Sequence, residues 1–139
     1  MRVLGLDVGT KRIGVAISDP LGWTAQGVGV IERKGGELEE IKGIVEREGV
    51  EAVVIGLPKR MNGTIGPQAE KVLEFSRGLE ALLEVPVLLW DERWTTKEVE
   101  RVLLMADESR SKRRRVKDKL AAVIILQGYL DRRNRNIDE

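Results

Sequence analysis

Three carboxylates stand where the surrounding pattern does not ask for charge. Asp7 closes the apolar run of "VLGLDVGT" (3–10), Glu92 closes "VPVLLWDE" (85–92), and Asp118 leads an apolar stripe in "VKDKLAAV" (116–123). A carboxylate at the edge of a core is costly unless it is paired or coordinates a cation. Three of them brought together would repel one another and raise each other's pKa until a divalent ion neutralised them. The chain has no His and no Cys, so the ligands on offer are hard oxygens, which select Mg2+ or Mn2+ over zinc. Two such ions roughly 3.5 to 4 Å apart can activate a water and stabilise the leaving oxygen of a phosphodiester. Each acid also has an ordinary reading. Asp7 could start the turn into Gly9, Glu92 could be a strand terminus beside Arg93, and Asp118 could favour the start of a helix through the macrodipole. Asp91 and Glu92 point to opposite faces of a strand, so only one of them can join a cluster, and Glu92 is the better candidate.

A polyanionic substrate needs positive charge near such a cluster. The formal net charge is only +1, but its distribution is uneven. Arg110, Lys112, Arg113, Arg114, Arg115 and Lys117 precede Asp118, Lys11 and Arg12 follow Asp7, and Lys59 and Arg60 follow another apolar strand. These ten residues are the candidate nucleic-acid contacts, against the plainer reading of the long run as a solvated loop. Aromatic residues are few and scattered (Trp23, Phe75, Trp90, Trp94, Tyr129), so backbone and shape recognition of a structured nucleic acid is expected rather than base stacking.

The elements that must position these groups are legible from periodicity. Residues 2–8, 12–18 and about 25–32 are rich in Val, Ile and Gly and are separated by turn formers, predicting an antiparallel three-strand meander. From Gly36 onward, Leu38, Ile41, Ile44 and Val45 recur at helical spacing as far as Gly49, a predicted C-cap. "AVVIGLP" (52–58) predicts a buried strand, followed by the loop KRMNGTIGP. A second helix carries Val72, Phe75, Leu79 and Leu83, and 85–92 predicts a third buried strand. Thr95 and Glu98 form a capping box for a further helix, and a last helix is expected from about 114 to 131. On that helix Asp118, Ala121, Ala122, Ile125 and Tyr129 share a face, and the two alanines would let it lie close to the sheet. The expected fold class is α/β, a mixed five-stranded sheet flanked by helices, with the strands containing Asp7, Leu57 and Asp91 running parallel. Ligands bind beyond the carboxyl ends of such strands.

The 139 residues suit a single domain over 1–139 with one core. Hydrophobic residues make up 42% and charged residues 34%, which excludes disorder and long membrane spans. The first acid and glycines arrive too early for a secretory signal, so a cytoplasmic protein is expected.

Four blocks, "GLDVGTKRIGVA" (5–16), "VIGLPKRMNGTIGPQA" (54–69), "WDERWTT" (90–96) and "VKDKLAAVIILQGYL" (116–130), taken together in this order resemble the YqgF family, also called RuvX-like, of RNase H-fold nucleases. The resemblance spans nearly the whole chain. It implies an RNase H-like fold, a metal-binding and catalytic set formed by Asp7, Glu92 and Asp118, and activity described both as processing the 5′ end of precursor 16S ribosomal RNA and as Holliday junction resolution. Many nucleases of this fold use a fourth acid. Here the positions one helical turn from Asp118 are Arg115 on one side and alanines on the other, leaving three. Two rival functions use the same residues: an actin-like ATPase, for which one domain is too small, and a non-catalytic RNA-binding ribosome-assembly factor. Resolving a junction favours a dimer, whereas RNA trimming needs one active site, so the oligomeric state is open between monomer and homodimer.

Overall fold

The computed structural model describes residues 1–60, 62–91 and 110–138. The elements in chain order are β1 (Val3–Val8), β2 (Arg12–Ser18), β3 (Ala25–Glu32), α1 (Glu37–Glu48), β4 (Ala52–Leu57), α2 (Pro67–Leu82), β5 (Val87–Asp91) and α3 (Arg110–Asp138). The sheet order is β3-β2-β1-β4-β5. β1 pairs antiparallel with β2, and β2 with β3, while β4 lies parallel to both β1 and β5. This is the expected mixed five-stranded sheet.

Alternation along the strands divides the core between the two faces of the sheet. Leu4, Leu6 and Val8 of β1, Ile13 and Val15 of β2, and Val53, Ile55 and Leu57 of β4 pack with Ile41 and Val45 of α1 and with Val72, Phe75 and Leu79 of α2. The residues between them, Val3, Ala16, Ala52 and Val54, pack on the other face against Ala122, Ile125, Leu126 and Leu130 of α3. The result is three layers, two helices over one face and the long helix over the other, rather than one undivided core.

Local chemistry explains the element ends. Gly9 N–H donates to the Arg12 carbonyl at 2.9 Å and closes the β1–β2 turn. Asp19 closes the β2–β3 turn, its Oδ1 accepting from the N–H groups of Trp23 and Thr24 at 2.7 and 2.8 Å. Gly49 ends α1 as expected, with its N–H donating to the Val45 carbonyl.

Three expectations shift. Pro67, assigned to the loop, is the first residue of α2, where its ring suits the backbone and its missing donor costs nothing. β5 is half-buried rather than buried and leaves Leu89 43% exposed, since it lies last in the strand order. α3 covers Arg110 to Asp138 rather than about 114 to 131, because arginine and lysine are good helix formers and "RSKRRRVKDK" contains no glycine or proline. The basic run is therefore helix, not loop. Asp118 lies about two turns into it, which removes the helix-start explanation for that acid. The capping box at Thr95 and Glu98 and its helix lie outside the described residues.

Candidate active site

Asp7 is positioned by register. It stands directly opposite Gly14 of β2, and directly opposed residues of an antiparallel pair project from the same face. At Gly14 that face is filled by α3, since a Cβ there would collide with the backbone carbonyl of Asp118. At Gly5, two residues before Asp7, a Cβ would come within 2.7 Å of Leu126 Cβ. Glycine on both strands thus lets α3 touch the sheet, and the contact falls at Asp118, on the face from which Asp7 projects.

Arg12 lies two residues before Gly14 on β2 and shares that face. Its Nε donates to Asp118 Oδ2 at 2.8 Å, with the two side chains 24% and 22% exposed. This hydrogen bond is the main cause that raises the Arg12 pKa, against the opposing effect of burial, so the guanidinium is charged at every working pH. Glu32 is opposite Arg12 on β3. Its Oε1 lies 3.6 Å from a terminal nitrogen of Arg115, one turn before Asp118 on α3. Arg115, Glu32, Arg12 and Asp118 form a ladder of alternating sign.

Asp7 and Asp118 line one cleft of about 540 Å³. Val8 and Gly9 continue its wall from β1, Pro58, Lys59 and Arg60 contribute the loop after β4, Gly66, Pro67 and Gln68 the start of α2, and Lys117 the helix beside Asp118. Of the ten predicted basic contacts, Lys59, Arg60 and Lys117 line this cleft, and Arg12 borders it through Asp118. Lys11 is exposed in the β1–β2 turn. Arg115 lines a separate groove with Gly29, Val30 and Glu32. Arg110, Lys112, Arg113 and Arg114 form the first described turn of α3, and their side chains lie outside what is described. Glu92 also lies outside the described residues; Asp91, before it, pairs in register with Leu57, at the end of β4 next to Pro58.

Two features, one in the cleft wall and one behind it, escape a reading of charge pattern. The first turn of α2 enters the cleft with no side-chain cap on Gly66, and free N–H groups at a helix start attract anions. The Gly66-Pro67 pair is the sequence signal that could have located it. The second is Arg33, whose Nη1 donates to the Gly9 carbonyl at 2.8 Å while its Nε donates to Glu37 at 3.1 Å and its guanidinium lies 5.2 Å from the centre of the Phe75 ring. Arg33 thereby ties the turn after Asp7 to α1 and α2. Only the Arg33/Glu37 spacing of four hints at this in the sequence.

The donor set suits a hard divalent cation: two carboxylates line one cleft and the chain has no His or Cys. Among the described residues no group of three such ligands occurs, and Glu92, the third acid expected from the sequence, lies outside them.

An RNase H-like sheet with acids from β1 and α3 at one cleft defines a class, and comparison places the chain within it. The family model described as "RuvX: Holliday junction resolvase" matches residues 1–132, and the chain belongs to that family. A Clostridium kluyveri protein is 56% identical over 134 residues, covering 95% of this chain and 98% of its own length. A Moorella thermoacetica protein is 57% identical over 138 residues, covering 98% and 99%. Both bear the name "Putative pre-16S rRNA nuclease". Among solved structures, T. thermophilus RuvC in complex with a Holliday junction substrate aligns with TM-score 0.57 at 20% identity over 96% of each chain. The fowlpox virus resolvase with Holliday junction DNA aligns with TM-score 0.57 at 15% identity over 94% of this chain and 97% of that one. At these identities the likeness is one of fold.

Proposed function

We propose that the cleft is the active site of a metal-dependent nuclease that hydrolyses phosphodiester bonds, and that its task is processing the 5′ end of precursor 16S ribosomal RNA in the cytoplasm. The observation that carries this reading is the meeting of Asp7 and Asp118, from opposite ends of the chain, in one cleft that Lys59, Arg60 and Lys117 also line. The names of relatives that match almost end to end support the RNA substrate. No described helix is long and apolar enough to cross a membrane.

Asp7 and Asp118, with Glu92 as the third acid, would hold Mg2+ or Mn2+, which when bound supplies an activated water and charge stabilisation at the phosphate. The chain's own residues do the rest. Lys59, Arg60 and Lys117 attract the polyanion and neutralise phosphates on either side of the acids. The open N–H groups of the first turn of α2 offer a further phosphate seat. Arg33 keeps the Gly9 turn, and with it the end of β1, fixed against both helices, so that Asp7 pays little reorganisation on binding. A backbone grip of this kind accepts structured RNA and DNA alike, and the described part of the cleft holds no aromatic base platform.

Junction resolution is the second reading, favoured by the family description and by the fold shared with RuvC. A side-by-side assay of a 5′-extended 16S precursor fragment and a four-way DNA junction, in Mg2+ and in Mn2+, separates the readings. Wild type is expected to shorten the RNA, and Asp7→Asn, with its fold intact by circular dichroism, to yield no detectable product. Symmetric nicking of the junction with the RNA intact would install the second reading. Binding of either substrate without turnover would leave an RNA-binding assembly factor.

A further inference from the structure

We propose that Arg12 stands in for the cation: it holds Asp118 while no metal is bound and yields that carboxylate when one arrives, its guanidinium then facing the substrate phosphate. The inference rests on the metal-dependent reading and concerns how this chain's residues keep such a site.

Two acids at one cleft repel each other when no cation is present. Arg12 relieves this through a single hydrogen bond, Nε to Asp118 Oδ2 at 2.8 Å, formed between side chains that are each about three-quarters covered. The bond is made at one oxygen of Asp118, so an incoming ion can engage the other before Arg12 leaves. Among the described residues only Nε is engaged, so both terminal nitrogens of Arg12 present donors in a fork suited to phosphate oxygens. Release does not strand a charge either. Glu32 lies opposite Arg12 across the β2–β3 pair and adds to its pull on a proton, while Arg115 in turn balances Glu32. The β2 backbone fixes the root of Arg12 on the cleft side through the same register that seats Gly14 under α3. Arg12 is thus a positioning residue for the cation site, and the pair is a competition that a cation must win.

Competition has a signature opposite to structural support, because removing a competitor tightens binding whereas removing a support loosens it. Mn2+ titrated calorimetrically into the full chain is expected to bind R12Q about fivefold more tightly than wild type, the scale of a partly exposed ion pair. R12K keeps the charge without the planar fork and should fall between them, and it serves as the second variant if R12Q folds poorly. In wild type the Arg12 Nε resonance should move on addition of Mg2+. Equal or weaker Mn2+ binding by both variants, where wild type binds, overturns the exchange and leaves the nuclease reading standing. No Mn2+ binding by wild type or by either variant removes the metal reading, and the exchange with it.

Discussion

Asp19 and Asp118 are both carboxylates at the margin of the sheet, yet their partners differ in kind and so do their consequences. Asp19 accepts backbone N–H groups of its own turn. Those bonds, that of Thr24 foremost, hold its carboxyl below the ordinary value of 3.8. A group whose pKa is lower folded than unfolded stabilises the fold above its unfolded pKa, and that contribution is lost as the pH falls through the folded one. The unfolding midpoint should therefore drop between about pH 5 and about pH 2, and Asp19→Asn should flatten part of that drop, as a melting series across the range would read. Asp118 instead meets the Arg12 side chain of another element, Nε donating to its Oδ2 at 2.8 Å. The turn role of Asp19 follows from the neighbouring Pro20 and Gly22. The partner of Asp118 lies 106 residues away, and no local pattern names it.

At the scale of elements, the decisive contact is α3 on β1 and β2. Gly14→Ala is expected to cost about 3 kcal/mol, as overpacking against rigid backbone does, and to remove cleavage because relief requires moving Asp118. Leu126→Ala should cost about 2 to 5 kcal/mol while folded molecules remain active, since it loosens the same helix away from the cleft. Urea denaturation paired with activity per folded molecule distinguishes the two. Of the two alanines expected to let the helix lie close, Ala122 forms the helix's half of this contact, whereas Ala121 packs with Val116, Leu120 and Ile124. The sheet's half, Gly5 and Gly14, reads in sequence merely as weak strand positions, since what approaches a glycine is known only once the helix is placed. The start of α3 was likewise hidden, because a basic run has the composition of a loop and the propensity of a helix.

At the scale of the molecule, a net charge of +1 conceals a cleft where Lys59, Arg60 and Lys117 surround two acids. If those lysines neutralise phosphates, Lys59→Ala and Lys117→Ala should each lower the slope of log affinity against log salt by about 0.7 to 0.9. Arg115→Ala should change it less, because Arg115 already faces Glu32 in another groove. Binding titrations over a range of salt would measure both effects. The strands, their directions, and the end of the sheet at which Asp7 would lie were determined by sequence alone, because alternation and turn chemistry are local properties and parallel strands bring their carboxyl ends together. Which charges meet was decided only in three dimensions. The Arg12–Asp118 pair, the Arg33 anchor and the pairing of Arg115 with Glu32 all depend on how α3 and the helices of the opposite face settle on the sheet, and packing couples residues that share no sequence neighbourhood.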